Sequence, residues 1–102
     1  MPVLEISVIP LGTKTASVSK YVASCTKILE KEKKIKYQIT AMGTIIEADS
    51  LKKLFKIAQK MHEEVLLKTQ RVVTTIKIDD RKDKKLTMEG KITSLKRKLK
   101  AK

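Results

Sequence analysis

The chain has 102 residues, a length that corresponds to one domain (residues 1–102) with one modest hydrophobic core. Its hydrophobic fraction of 41% argues against a disordered chain, and no apolar run is long enough to span a membrane. The N-terminus lacks the basic and apolar regions of a signal peptide, and a single cysteine, Cys25, excludes an intrachain disulfide. We therefore expect a cytoplasmic protein.

The positive charge is concentrated at the C-terminal end of the chain. The formal net charge is +13, and residues 81–102 contribute +8 of it, with ten Lys or Arg against Asp83 and Glu89. Such a segment is either a tail that binds polyanions or the solvated end of a helix. The charge alone does not decide between these two interpretations.

The first part of the chain predicts a strand and then a helix. Residues 3–10 alternate between apolar and polar positions, and we expect the strand to stop at Pro10, which cannot donate a backbone hydrogen bond. From Val18 to Leu29 the apolar residues recur at helical spacing. Ser17 or Ser19 is the predicted N-cap of this helix, which should end near the charged run at residues 31–34.

The middle of the chain predicts a hairpin followed by a second helix. Residues 36–42 and 44–48 read as two short strands joined by a tight turn at Gly43. Asp49 or Ser50 is then the predicted cap of an amphipathic helix whose apolar residues run from Leu51 to Leu66.

The longest β-branched run, at residues 72–76, predicts the last strand, over residues 71–80. After a charged loop, Met88, Ile92, Leu95 and Leu99 recur at helical spacing and predict a basic third helix over about residues 87–100. Gly90 should weaken its first turn.

The element order β-α-β-β-α-β-α contains two β-α-β halves, the pattern of a ferredoxin-like α+β sandwich with a C-terminal helix added. Right-handed crossovers would place both long helices on one face of a four-stranded antiparallel sheet. In that topology the first and third strands are central, and the last strand lies at an edge.

The sheet face turned away from the helices has a mixed character. It is too apolar for a free surface and too polar for a dry core, so a ligand or another subunit should cover it. Only Lys77 guards the long edge strand against pairing with a copy of itself, which also predicts a homo-oligomer. The predicted residues of this face are Glu5, Ser7, Ile9, Gln38, Thr40, Met42, Ile45, Glu47, Val73, Thr75 and Lys77.

Catalytic motifs are scarce, so we do not expect an enzyme. The sequence has no Gly-rich phosphate loop, no nucleophile elbow and only one histidine, His62. His62 lies at the edge of an apolar stripe and Cys25 in the middle of one, so structural roles are favoured over a metal site or a nucleophile. Glu5 and Glu47 fall on adjacent central strands with the same facing. Such a pair suits acid/base chemistry or the binding of a cation or amine, and we favour binding.

Four segments in order resemble the small thiamine-binding protein family (YkoF-like), long catalogued as a domain of unknown function. They are Glu5-Ile6-Ser7-Val8-Ile9-Pro10-Leu11-Gly12, Ser19-Lys20-Tyr21-Val22, Met42-Gly43-Thr44-Ile45-Ile46-Glu47 and Val73-Thr74-Thr75-Ile76-Lys77-Ile78-Asp79-Asp80-Arg81. The resemblance covers about residues 3–95. It implies a ferredoxin-like fold, a homotetramer built as a dimer of dimers, and non-enzymatic binding of thiamine or its pyrimidine part.

On the matched segments we expect a ligand site on the open sheet face, with no cofactor and no metal. A carboxylate accepts a bond from the ligand amino group and offsets the thiazolium charge, and small hydroxyls orient the ligand. The same residues would also suit a wet subunit interface. The expected ligand-binding residues are Glu5, Ser7, Met42, Thr44, Glu47, Thr75 and Lys77.

Two other functions compete with this hypothesis. Four-stranded sheets of this kind also bind RNA by stacking bases on strand aromatics, but Tyr37 is the only strand aromatic and its parity faces the helices. We therefore do not expect base recognition; the nucleic-acid binding left open by the sequence is electrostatic, through residues 96–102, and salt-sensitive. The other alternative is a structural or regulatory homo-oligomer.

Overall fold

A computed structural model describes residues 1–13 and 18–100 and confirms the ferredoxin-like α+β fold. Two helices, α1 and α2, and a four-stranded antiparallel sheet enclose the core, and a third helix follows the last strand. The elements in chain order are β1 Val3–Leu11, α1 Ser19–Lys31, β2 Lys36–Ile39, β3 Thr44–Glu47, α2 Leu51–Leu66, β4 Arg71–Asp79 and α3 Met88–Lys100.

The strand order is β2-β3-β1-β4, which confirms that β1 and β3 are central and that β4 is an edge strand. β1 pairs with β4 along its whole length, from Val3↔Asp79 to Leu11↔Arg71. Its pairing with β3 ends at Ile6↔Thr44, so within the described residues the second half of β1 pairs with β4 alone.

The prediction that β1 stops at Pro10 is wrong. The strand continues to Leu11, and Pro10 lies opposite Val72 in the ladder with β4. Beyond Ile6 no strand of residues 1–13 and 18–100 pairs with the β3 side of β1, so this part of the strand behaves as an edge, where proline is tolerated.

The β2–β3 turn is built by Thr40, which shortens β2 relative to the predicted 36–42. The Thr40 Oγ1 accepts hydrogen bonds from the Gly43 N–H at 3.1 Å and the Met42 N–H at 3.2 Å. The Thr40 N–H donates to the Gly43 carbonyl at 2.8 Å. A Cβ at Gly43 would lie 3.0 Å from the Ile6 carbonyl oxygen, so this close approach of β1 to the turn favours glycine.

The helix starts follow the predictions only in part. At α2 the cap is Ser50, whose Oγ accepts from the Lys53 N–H at 3.1 Å. At α1 the N-cap is Val18, which makes no side-chain cap bond; Ser19 is already helical, so it does not cap, and Ser17 lies outside the described residues. α1 ends at Lys31, as its charged run predicts.

The core lies between the sheet and helices α1 and α2. Helix α3 contributes no buried residue, so it lies outside this core. Among residues 1–13 and 18–100, no helix is long and apolar enough to cross a membrane. The core residues are Leu4, Ile6, Tyr21, Cys25, Leu29, Ile46, Ala48, Leu54, Ile57, Ala58, Met61 and Val65.

Candidate functional site

The sheet face opposite the core, called here the open face, is organised by the β1–β4 register. Leu4 and Ile6 point into the core, so the alternate residues of β1 point the other way. These outward residues form the cross-strand pairs Glu5↔Lys77, Ser7↔Thr75 and Ile9↔Val73. A carboxylate, an ammonium group, two hydroxyls and two half-exposed apolar side chains therefore lie in three successive rows.

Glu5 is an accessible carboxylate on the open face; Asp79 lies on the same side of β4 but is engaged in an ion pair with Lys91. The Glu5 Oε1 lies 3.8 Å from the Lys77 Nζ, and the Glu5 side chain is 41% exposed. An exposed pair at this distance contributes at most about 1 kcal/mol to stability. Because the pair is weak, a ligand that presents a cation or an N–H donor can replace Lys77 as the partner of Glu5.

Glu47, in contrast, is buried, with only 2% of its surface exposed. Its Oε1 accepts a hydrogen bond from the backbone N–H of Met88, the first residue of α3, at 3.1 Å. The first N–H groups of a helix have no partner within the helix, and the helix dipole favours a negative charge beside them. Glu47 therefore stabilises the start of α3, a role that the sequence pattern did not indicate.

Several other contacts hold the beginning of α3. Thr87 caps the helix, since its Oγ1 accepts from the Gly90 N–H at 2.8 Å. A Cβ at Gly90 would lie 2.7 Å from this oxygen, so the glycine predicted to weaken the first turn makes room for the cap. Lys36 Nζ lies 3.4 Å from Glu89 Oε1, and Lys91 forms an ion pair with Asp79.

The rest of α3 presents an unpartnered apolar stripe, defined by Ile92, Leu95 and Leu99. Their exposed fractions are 53%, 55% and 60%. Three large apolar residues on one helix face at this exposure are typical of a surface that another molecule covers.

Two of the expected ligand-binding residues lie apart from the others. Thr44 pairs with Ile6 and Ile39 and is buried on the helix side of the sheet, so the expectation that it joins the open face is wrong. Met42 lies in the β2–β3 turn and is 85% exposed. The register brings Glu5, Ser7, Thr75, Lys77 and Glu47 to one face; Thr44 has the opposite parity.

Cys25 and His62 both have structural surroundings. Burial, together with the nearby Glu64 carboxylate, raises the pKa of the Cys25 thiol to about 11, so it remains protonated at neutral pH. The His62 Nδ1 lies 2.6 Å from the Thr74 Oγ1 and links α2 to β4. Among the residues that the structure describes, no group of three or more His, Cys, Asp or Glu side chains is placed to hold a metal ion.

The thiamine-binding protein family matches residues 4–96. The chain belongs to this family. The UPF0045 protein YqgV of Bacillus subtilis is 50% identical over 99 residues, which cover 93% of this chain and 94% of YqgV. A UPF0045 protein of Methanothermobacter thermautotrophicus is 43% identical over 96 residues. The match covers 93% of this chain and 96% of the length of that protein.

The solved structure of MJ1052 agrees with this family assignment, and a more distant structure shares the fold. The crystal structure of MJ1052 from Methanocaldococcus jannaschii is 44% identical, with a TM-score of 0.85, and covers 92% of this chain and 94% of its own. TM0486 from Thermotoga maritima is provisionally assigned to thiamine biosynthesis or salvage. Its structure has a TM-score of 0.76, and the match covers 92% of this chain and 97% of the TM0486 chain. At 16% identity it shows only the shared fold. The predicted family is thus confirmed.

Proposed function

We propose that the protein binds thiamine or its hydroxymethylpyrimidine part, without catalysis, on the open face around Glu5. The single observation that carries this proposal is the position of Glu5 between Ser7, Thr75 and Lys77, in a chain that belongs to the thiamine-binding family. No cofactor or metal is required, since the thiamine-like compound is the ligand itself. We place this binding in the cytoplasm, where the one thiol, Cys25, stays reduced.

The chemistry of the open face matches the functional groups of thiamine. The thiazolium ring carries a fixed positive charge, which the Glu5 carboxylate offsets. The aminopyrimidine offers an amino donor and ring-nitrogen acceptors, which suit the carboxylate and the Ser7 and Thr75 hydroxyls. Ile9 and Val73, which are exposed one row further along the sheet, provide apolar contacts for the rings.

The two carboxylates then have different parts in binding. Glu5 is accessible and makes the direct contact. Glu47 is covered by the start of α3, so a ligand reaches it only if α3 moves or if the ligand shares the carboxylate with the Met88 N–H. Because a carboxylate accepts up to about four hydrogen bonds, sharing is chemically possible.

We further propose that the ligand site lies at a subunit interface in a homotetramer. Three surfaces support assembly: the long edge strand β4, the half-exposed Ile9 and Val73 of the open face, and the apolar stripe of α3. A long edge strand with a single guarding lysine, Lys77, favours pairing with another strand, and the apolar surfaces favour burial by a neighbouring subunit. A dimer of dimers would use an edge contact and a face contact together.

The test is isothermal titration of the purified protein with thiamine, hydroxymethylpyrimidine and thiamine phosphate at moderate salt. We expect saturable binding near one ligand per subunit, weakened about ten-fold or more by Glu5→Gln, because a charge-assisted hydrogen bond is lost. Glu30→Gln, an exposed glutamate on α1, is the matched control and should bind like the parent protein.

The same titration of the Lys77→Gln variant tests whether the lysine competes with the ligand for Glu5. Removing the competing ammonium group should strengthen thiamine binding a few-fold and affect the neutral hydroxymethylpyrimidine less, because only thiamine carries a fixed charge. The proposal fails if none of the three compounds binds, or if Glu5→Gln and Glu30→Gln bind equally well.

A further inference from the structure

A second candidate site lies at the far end of β1, away from Glu5. A cavity of about 720 Å³ opens between the end of β1, the first turn of α1 and the connection from α2 to β4. Leu11 lies six residues beyond Glu5 along the strand, about 20 Å away at the usual rise. The cavity is therefore separate from the proposed thiamine site and does not depend on it.

Positive charge dominates the wall of this cavity. Lys20, Lys68 and Arg71 line it, and among the described residues of its lining none is acidic. Lys68 is partly neutralised, because its Nζ lies 3.3 Å from Glu64 Oε1 and donates to the Ser24 Oγ at 2.5 Å. Among the residues described, Lys20 and Arg71 form no ion pair.

Contacts around the cavity position the Lys20 ammonium group and the backbone that carries Arg71. The Lys20 ammonium group lies 5.1 Å from the centre of the buried Tyr21 ring, a cation–π contact beside the cavity. Thr69 also lines the cavity and fixes the connection before β4, since its Oγ1 donates to the Val65 carbonyl at 3.1 Å. Arg71 then enters the β1–β4 ladder opposite Leu11, which anchors its backbone.

Helix α1 adds to the positive potential at the same place. Its first turn supplies Lys20 and Tyr21 to the cavity, contains no acidic residue and receives no side-chain cap from Val18. The positive end of the helix dipole therefore adds to the charges of Lys20 and Arg71 without a compensating carboxylate.

We infer that this cavity binds a phosphate group. Phosphate carries up to two negative charges, which two unpaired cations can match, and the planar guanidinium of Arg71 suits two phosphate oxygens at once. At Gly12, where φ is +76°, no described atom apart from those of its chain neighbours lies within 4 Å of the position that a Cβ would take, which leaves room for the phosphate oxygens beside Thr69. The phosphate is either free inorganic phosphate or the end of a phosphate monoester.

The experiment is isothermal titration of the full chain with inorganic phosphate and with glycerol phosphate, at constant ionic strength. We expect saturable binding at one site per subunit. Lys20→Gln and Arg71→Gln should each weaken it about ten-fold, as expected for the loss of one charge-assisted contact. The tighter of the two compounds identifies free phosphate or a monoester as the preferred ligand.

Matched control variants distinguish phosphate binding at this cavity from nonspecific attraction of phosphate to the positive charge of the protein. Lys27→Gln on α1 and Arg97→Gln on α3 remove the same charges from exposed positions outside the cavity, and should leave binding within about two-fold of the parent. Equal weakening by all four variants, no weakening by Lys20→Gln and Arg71→Gln, or no saturable binding would overturn the inference. Glu5→Gln should leave phosphate binding unchanged, which distinguishes failure here from failure of the thiamine proposal.

Discussion

Glu47 faces the open side of the sheet and also supports the start of α3. The sequence pattern indicates its facing but not its contact with α3. Its parity places it on the open face beside Glu5, and the register confirms this facing. Its carboxylate, however, is buried against the Met88 N–H, where it supports the start of a helix 41 residues away in sequence. A variant at Glu47 therefore reports on α3 as well as on any ligand.

Replacing Glu47 tests its support of α3. Glu47→Ala should destabilise the protein by about 1–3 kcal/mol, because the Met88 N–H loses a charged acceptor inside a buried site. Amide hydrogen exchange over residues 88–92 should become faster, as measured by mass spectrometry. Glu47→Gln keeps a carbonyl acceptor and should lose less, whereas Glu30→Ala is the exposed control. Unchanged exchange in Glu47→Ala would show that α3 does not depend on this contact.

The raised pKa of the Cys25 thiol makes the stability of the folded protein depend on pH. Burial raises its pKa to about 11 in the folded state, above the value in the unfolded chain, so unfolding releases a proton once the pH exceeds about 9. The thiol's contribution to stability is therefore complete below pH 9 and is lost as the pH rises towards 11.

The corresponding measurement is alkylation of Cys25 by iodoacetamide at pH 8. The native protein should react far more slowly than the same protein in guanidinium chloride, because the folded thiol is both protonated and buried. Equal rates in the two conditions would contradict the structural role assigned to this residue.

At the scale of elements, α3 differs from the other two helices. α1 and α2 each bury an apolar face against the sheet, whereas the polar contacts of α3 with the rest of the described chain lie near its N-terminal end, at Glu47, Asp79 and Lys36. Its apolar stripe of Ile92, Leu95 and Leu99 remains exposed. In the proposed assembly this stripe is covered by another subunit.

Leu95→Lys tests this use of the stripe. A charge in the middle of an apolar interface is costly to bury, so the variant should form smaller oligomers than the parent, measured by size-exclusion chromatography with light scattering. Ser94→Lys adds the same charge to an exposed α3 position outside the stripe and should assemble normally. If both variants keep the parent mass, the stripe takes no part in assembly.

The whole molecule is extended and strongly basic. Its radius of gyration is 15.2 Å, compared with about 13 Å for a compact domain of this length, because α3 lies outside the core. The net charge of +13 attracts polyanions of any kind. This charge is the basis of the competing hypothesis of electrostatic nucleic-acid binding.

The salt dependence of binding distinguishes electrostatic nucleic-acid binding from thiamine binding. Binding to a fluorescent single-stranded DNA should be weak and should fall steeply between 50 and 200 mM salt, by about 10²-fold or more for several phosphate contacts. Thiamine binding should change much less over the same range, because it involves a single charge. Tight DNA binding that resists salt would instead favour the nucleic-acid function.

Local patterns in the sequence determined the fold and the open face. Alternation of apolar and polar residues identifies which side of each strand is buried, and helical spacing identifies α1, α2 and α3, because both patterns arise from neighbouring residues in the chain. The placement of Glu5 and Lys77 on one face follows from those patterns together with the topology, whereas their cross-strand pairing comes from the register in the structure. Family membership was also readable from four short segments.

Only the tertiary structure decided the contacts between residues far apart in the chain. Strand pairing permits Pro10 within β1, because in the described part of the chain no strand pairs with that end of β1 on its β3 side. Chain folding places Met88 over Glu47, and brings Lys20 and Arg71 to one cavity. Alternation and helical spacing report which side of an element is buried, but not which distant element covers it; that depends on the packing of the whole chain.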